Sequence, residues 1–276
     1  MTEPSGVVAV VLAAGEGRRL RPLTASVPKA LCPVGNVPLL DLALDRLCRL
    51  GFAGADRVAV NAWYLAEQIV AAAGSRAYVS VEPGAHPLGT AGGLGHLRDW
   101  IAGRGVLVAN ADAYLAGGDL GTLLDGWDGG STRLLGVPGP AAEFGTYRFA
   151  GASLLPWHRV ARLVPAGVPT DLVREVWRPA EAAGELDVVE YAGTYLDTGT
   201  PRGYLAANLD AAGGGSLVAP DAVVTGVLTR SVIGAGAVVA GHVTRAVVWP
   251  GGHVAPGEHL ADAIRFGRSG TVSMSG

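Results

Sequence analysis

Lysine is almost missing from this chain: among 21 basic residues in 276, only Lys29 is a lysine. Positive charge is not in excess either. The net charge is −3 and the pI about 6.1, which excludes a general basic field for holding nucleic acid, so no nucleic-acid partner is expected. Cysteine is confined to Cys32 and Cys48. With no CxxC and no histidine pairing, this rules out a disulfide framework or a zinc site and suits a reducing compartment. No apolar run is long enough to cross a bilayer, and no leader-like segment precedes the first apolar run. A cytoplasmic protein without membrane attachment is expected. Two familiar phosphate-binding signatures are also missing. After Gly15 and Gly17 the third glycine of GxGxxG would fall at position 20, which is Leu20, and there is no GxxxxGK[ST].

Apolar residues are plentiful, at 49% of the chain, enough for one large domain with a small appendage. The apolar run Val7 to Val11 opens into Leu12 to Leu31, LAAGEGRRLRPLTASVPKAL, where glycines, arginines and the lone lysine crowd together. A buried strand leading into Gly-rich backbone and cations is a cradle for phosphates: N–H groups approach closely where no Cβ intrudes, and the cations neutralise charge. A polyanionic ligand is expected. In a chain that otherwise uses arginine, the position that keeps lysine needs a compact point cation rather than a planar fork.

The pattern LAAGxGxRLxPLT followed by PKAL resembles the signature of the sugar-1-phosphate nucleotidyltransferases, in the style of mannose-1-phosphate guanylyltransferases with a C-terminal hexapeptide-repeat β-helix. Two further segments carry the resemblance. Pro87 to Leu94, PLGTAGGL, is similar to the family's LGTAG segment beside the nucleotide base, and Tyr195 to Pro201, YLDTGTP, is similar to its WxDxGTP segment. The resemblance implies transfer of a nucleoside monophosphate from a triphosphate to a sugar 1-phosphate, with Mg²⁺ as cofactor and pyrophosphate released. It implies that Leu12, Ala13, Ala14 and Gly15 hold base and ribose, that Gly17 and Arg19 face the β- and γ-phosphates, and that Lys29 bridges the reacting phosphates. Gly89 and Thr90 would contact the base, and Asp112 and Asp197 would bind the metal.

Glu82, upstream of PLGTAGGL, bears on the choice of base. A carboxylate can accept from both N1–H and the N2 amino group of guanine, whereas uracil and thymine offer one ring N–H. GTP is therefore the expected donor, and the resemblance implies mannose 1-phosphate or a related sugar phosphate as acceptor, with a UTP- or dTTP-dependent enzyme, or a silent regulatory homologue, as alternatives. The family's Glu-Lys-Pro triplet for the sugar phosphate is missing. Asn110, Arg148 and Gly151 are the candidates for sugar-phosphate binding, with Arg133 a second candidate for the lost cation. Trp63 and Tyr64 stand where relatives often carry histidines.

Short apolar runs alternate with amphipathic stretches. Helices are expected over Pro38 to Leu50, Ala66 to Ala73 and near Trp100, and strands over Arg57 to Asn61, Ala77 to Glu82 and Gly105 to Ala109. This predicts an α/β domain with a Rossmann-like, mainly parallel sheet sandwiched by helices, ligands binding beyond the carboxyl ends of its strands. From Val218 three segments repeat at a spacing of fifteen, with branched apolar residues six apart: Val218 and Val224, Ile233 and Val239, Val248 and Val254. Such self-similarity predicts stacked coils, and the six-residue steps resemble a short left-handed parallel β-helix. The expected division is residues 1–212 for the catalytic domain and 213–276 for the β-helix. The β-helix is expected to act as a cap or as a dimerisation surface of a homo-oligomer. Its histidines His242, His253 and His259 leave an acyltransferase role as a further alternative.

Overall fold

The computed structural model describes residues 6–164 and 169–274. By contact density the chain divides into two compact units. The first holds residues up to Glu16 together with Ser26–Leu31 and Leu40–Tyr195; the second holds Gly17–Ala25, Cys32–Leu39 and everything from Leu196 onward.

The first unit is built on a seven-stranded sheet. Its strands in chain order are β1 (Val7–Leu12), β2 (Val58–Ala62), β3 (Tyr78–Val81), β4 (Gly105–Asn110), β5 (Thr132–Pro138), β6 (Tyr147–Leu155) and β7 (Leu186–Glu190). They lie side by side as β7-β5-β6-β4-β1-β2-β3. All neighbours pair parallel except β6, which runs antiparallel to both β4 and β5. The central strand β1 is VVAVVL because both of its faces are covered. Val7, Ala9 and Val11 enter one core with Leu40, Ala43, Leu44 and Leu47 of α1 (Leu39–Arg49) and Ile69 of α2 (Ala66–Ala73). Val8 and Val10 enter the opposite core with Ala91 and Leu94 of α3 (Gly89–His96). The glycine-rich stretch expected to lead into a helix near Trp100 is thus itself the start of one.

The second unit contains the expected short left-handed parallel β-helix. Val218, Ile233 and Val248 stack in register on one wall, Val224, Val239 and Val254 on the second, and Leu228, Val243 and Leu260 on the third. The spacing of fifteen holds until the turn Ala255–Glu258. There two extra residues let His242 pair with His259 and Val248 with Arg265. Glu258 accepts from the Ala255 N–H at 2.9 Å to close that wider turn. The last strand of the first wall, Ala263–Phe266, is covered by an antiparallel strand, Gly270–Ser273, so its edge is not left bare. The helix α4 (Pro201–Ala211) belongs to the same unit. Its fully buried Tyr204 donates to the Pro33 carbonyl and accepts from Trp249 Nε1 at 3.0 Å, and Asn208 accepts from the Gly35 N–H at 3.1 Å. No helix among the described residues is long and apolar enough to cross a membrane.

Candidate active site

In the first unit a cavity of about 230 Å³ opens beyond the carboxyl ends of β1 and β4. Leu12, Ala13, Ala14 and Gly15 line it as β1 runs out, and Asn110 and Asp112 line it past β4. Gly89 and Thr90 add the first turn of α3, whose N–H groups and dipole favour an anion. At Gly15 a Cβ would meet no protein atom within 4 Å, so what it would occupy is the open space of the pocket.

Lys29 also lines this cavity, with only 9% of its side chain exposed, and its Nζ donates to Asp112 Oδ2. Burying an ammonium is unfavourable unless an anion and hydrogen bonds receive it. The Asp112 side chain is 38% exposed, so the pair spans from a dry wall to open solvent.

The turn after β1 is fixed from behind. Asn61, next to Leu12 in the register of β1 and β2, accepts from the Ala13 N–H at 2.7 Å. Its amide donates to Glu82 Oε1 at 2.7 Å, and Glu82 Oε2 accepts from the Leu88 N–H at 2.7 Å. Glu82 is therefore placed behind the pocket rather than in its lining, 4% exposed, with both oxygens engaged by the protein. Burial pushes its carboxyl above the ordinary value, against the lowering effect of those two bonds. Gly93 makes room for this network, since a Cβ there would sit 2.7 Å from Asn61 Nδ2 and 2.8 Å from Glu82 Oε1. Asn61 was not among the residues singled out from sequence. Its signal was a lone polar side chain inside the apolar run RVAVNA.

Three other candidates have packing explanations. Gly151 has φ +80°, and a Cβ there would lie 2.3 Å from that of Ala113. Arg148 stands 5.2 Å over the Tyr195 ring, and Arg133 donates to the carbonyls of Leu123 and Asp125. None of these lines the pocket. Thr90 does, while its Oγ1 also accepts from the Leu172 N–H at 2.9 Å. A second cavity of about 290 Å³ shares Thr90 and Asn110 with the first, and Ser153, Phe149 and Trp177 stand in its wall.

The second unit holds the remaining signature residues. Gly17, in the left-handed region at φ 63°, turns the chain into the short helical turn Arg18–Leu20, and Thr24 clips the loop by donating to the Gly17 carbonyl at 2.9 Å. Arg19 approaches Asp197 at 3.7 Å, both side chains being substantially exposed. Asp197 in turn accepts from the Gly199 N–H at 2.7 Å, Thr200 caps α4 by accepting from Gly203, and Pro201 takes the first helical position. Gly203 is required because a Cβ would lie 2.1 Å from the Asp197 carbonyl oxygen.

A mainly parallel sheet whose strands open into a glycine-lined pocket with one buried lysine has the layout of the nucleotide-handling α/β class. Residues 9–183 match the MobA-like NTP transferase domain, and the chain belongs to that family. It is 28% identical over 94% of its length to a mannose-1-phosphate guanylyltransferase of Mycobacterium tuberculosis, 80% of which is covered. It is 29% identical over 72% of its length to an N-acetylmuramate alpha-1-phosphate uridylyltransferase of Caulobacter vibrioides, 95% of which is covered. In fold it is similar, at a TM-score of 0.64 and 18% identity, to a Bacillus anthracis structure assigned as a glucose-1-phosphate thymidylyltransferase and crystallised with sucrose. That match covers 74% of this chain and 95% of that one.

Proposed function

We propose that the protein transfers a guanylyl group from GTP to a hexose 1-phosphate, with mannose 1-phosphate as the reference acceptor, and releases pyrophosphate. The observation that carries the transfer chemistry is the single lysine of the chain, buried in the wall of a glycine-lined pocket and paired with Asp112. GTP is favoured by the M. tuberculosis relative, whose match extends over 94% of the chain.

In this reading an oxygen of the sugar phosphate attacks the α-phosphorus in line, and pyrophosphate leaves as the P–O bond to it breaks. No protein nucleophile takes part, so the residues act by positioning and by neutralising charge. The Leu12–Gly15 backbone and the first turn of α3 hold the nucleoside, Gly17 and Arg19 engage the β- and γ-phosphates, and Lys29 compensates charge on the reacting phosphates. Asn110 is the candidate kept for the sugar phosphate. Asp112 and Asp197 suit Mg²⁺, which takes one or two carboxylates plus phosphate oxygens and waters rather than an all-protein cage. Both carboxylates reach solvent, their side chains 38% and 46% exposed. When bound, the ion would act as a Lewis acid at the α-phosphate. We assign the chemistry to residues 1–212 and no catalytic step to residues 213–276.

Glu82 supports a second reading. Its oxygens already accept from Asn61 and Leu88, which takes away the guanine acceptor that the sequence suggested and leaves uridylyl transfer, the activity named for the C. vibrioides relative, as the second reading. Pyrophosphate release, measured with Mg²⁺ for each nucleoside triphosphate against a panel of sugar 1-phosphates, separates the two. Turnover with GTP and mannose 1-phosphate is expected; turnover with UTP alone would establish the second reading. Silence with every pair would remove the transferase assignment.

A further inference from the structure

We infer that Asn61 is a positioning residue for the nucleoside triphosphate: it sets the spacing between the two loops that enclose the nucleoside, the turn after β1 and the start of α3. This rests on the reading of the protein as a sugar-1-phosphate nucleotidyltransferase and adds a residue to its donor site.

Asn61 stands near the carboxyl end of β2, buried, and lines the nucleotide pocket. It works where the sheet ladder stops. Leu12 is the last residue of β1 in register with β2 and β4, so the Ala13 N–H lies past the ladder, and the Asn61 side chain receives it at 2.7 Å. The carbonyl of that same Leu12–Ala13 peptide accepts from the Ala111 N–H at 3.0 Å. One peptide plane is thus clamped by β2 on one side and by the residue before Asp112 on the other.

The relay continues to the opposite loop. The Asn61 amide donates to Glu82 at 2.7 Å, Glu82 accepts from the Leu88 N–H at 2.7 Å, and the Leu88 carbonyl accepts from the Thr170 N–H at 3.0 Å. Leu88 immediately precedes Gly89 and Thr90, which line the pocket. The link must accept from an N–H at one end and donate to a carboxylate at the other, which an amide does and an ionised carboxylate or an apolar side chain does not. Gly93 leaves the room that the link needs, since a Cβ there would fall 2.7 Å from Asn61 Nδ2. Both ends of the amide are engaged by the protein, so Asn61 acts on the ligand through Ala13 and Leu88. A nucleoside gripped alike before and during the reaction registers in KM rather than in kcat when its grip is loosened.

The test uses the full chain with Mg²⁺, GTP and UTP. In Asn61→Ala the KM for the triphosphate should rise about tenfold or more while the KM for the sugar 1-phosphate changes by less than about twofold, a split that a merely loosened fold does not produce. Asn61→Asp is the second variant and carries the test should Asn61→Ala fail to fold. One of its oxygens can still receive the Ala13 N–H, but the other meets Glu82, and two carboxyls at that distance must share a proton. The ratio of its triphosphate KM to that of the unaltered protein should therefore lie near one at mildly acidic pH and climb to about tenfold as the shared proton is lost at alkaline pH. His96 of α3 faces Glu82, and Lys29 and Asp112 share the pocket wall with Asn61; taking the ratio at each pH removes their titration. A triphosphate KM unchanged in Asn61→Ala, both KM values raised alike, or an Asn61→Asp ratio that does not move with pH would each overturn the role of Asn61 while the transferase reading stands. Calorimetric binding of GTP and UTP is the second measurement. Binding to the unaltered protein that weakens about tenfold in Asn61→Ala, with no turnover of any pair, would uphold the role of Asn61 and remove the transferase reading. Equal binding in the two proteins overturns the role of Asn61, and an unaltered protein that neither binds nor turns over a triphosphate overturns both.

Discussion

Lys29 is held where an ammonium is rarely found, 9% exposed and against Asp112. Replacing it with alanine should lower turnover by about 10²–10³-fold, the usual loss when a preorganised charge at a reacting centre is removed. The Tm should change by no more than a few degrees, because Asp112 stays in reach of solvent. Lys29→Arg should not restore the rate, since a planar fork does not fit a slot shaped for a point cation. Pyrophosphate release beside a thermal melt checks all three statements.

Glu82 yields a prediction of a different kind. Burial holds its carboxyl above the ordinary value, so the folded chain keeps a proton that the unfolded chain gives up. That contribution to stability is fully present below the unfolded value and disappears as the pH rises through the folded one. Glu82→Gln should flatten the dependence of Tm on pH just above the ordinary glutamate range, and an unchanged slope would contradict the assignment. Lys29 was legible in the sequence because it is the one lysine. The task of Glu82 was not, because only the folded chain shows that Asn61 and the Leu88 N–H come to meet its two oxygens.

Among the elements, α3 states most clearly what its composition is for. A helix reading GTAGGLGH has poor intrinsic propensity, since each glycine disfavours helix by about 1 kcal/mol relative to alanine. Its glycines are kept because neighbours press on them: Thr170 on Gly89, Asn61 and Glu82 on Gly93, Val164 on Gly95. Gly93→Ala should therefore destabilise the protein by about 1–3 kcal/mol through the broken Asn61–Glu82 contact, despite its better helix propensity. Gly15→Ala is the counterpart, with no protein atom within 4 Å of the added carbon. It should leave the melt unchanged and raise KM for the nucleoside triphosphate about tenfold, or 1.4 kcal/mol. Strand and helix positions followed from apolar periodicity, and α2 lies at Ala66–Ala73 as expected. The antiparallel insertion of β6 and the two additional residues at Ala255–Glu258 left no periodic trace, since each depends on pairing with a distant segment.

At the scale of the molecule, the fifteen-residue repeat was readable because every coil meets the same neighbours, and the three walls reproduce its register. Less readable was the company that repeat keeps. Gly17–Ala25 and Cys32–Leu39 belong to the same compact unit as the β-helix, although nearly two hundred residues separate them in sequence. Tyr204, donating to Pro33 and accepting from Trp249, ties three of its parts together. A chain ending at Ala212 should accordingly lose more than an appendage. Gel filtration and pyrophosphate release are expected to show it aggregated or inactive, and a monodisperse, active truncation would refute this.

The interleaving of the two units has a consequence for synthesis. The loop bearing Arg19 is translated well before the coils that share its unit. The nascent chain must therefore carry that loop without the rest of its unit until the coils have emerged, and the loop should become protected from proteolysis only then.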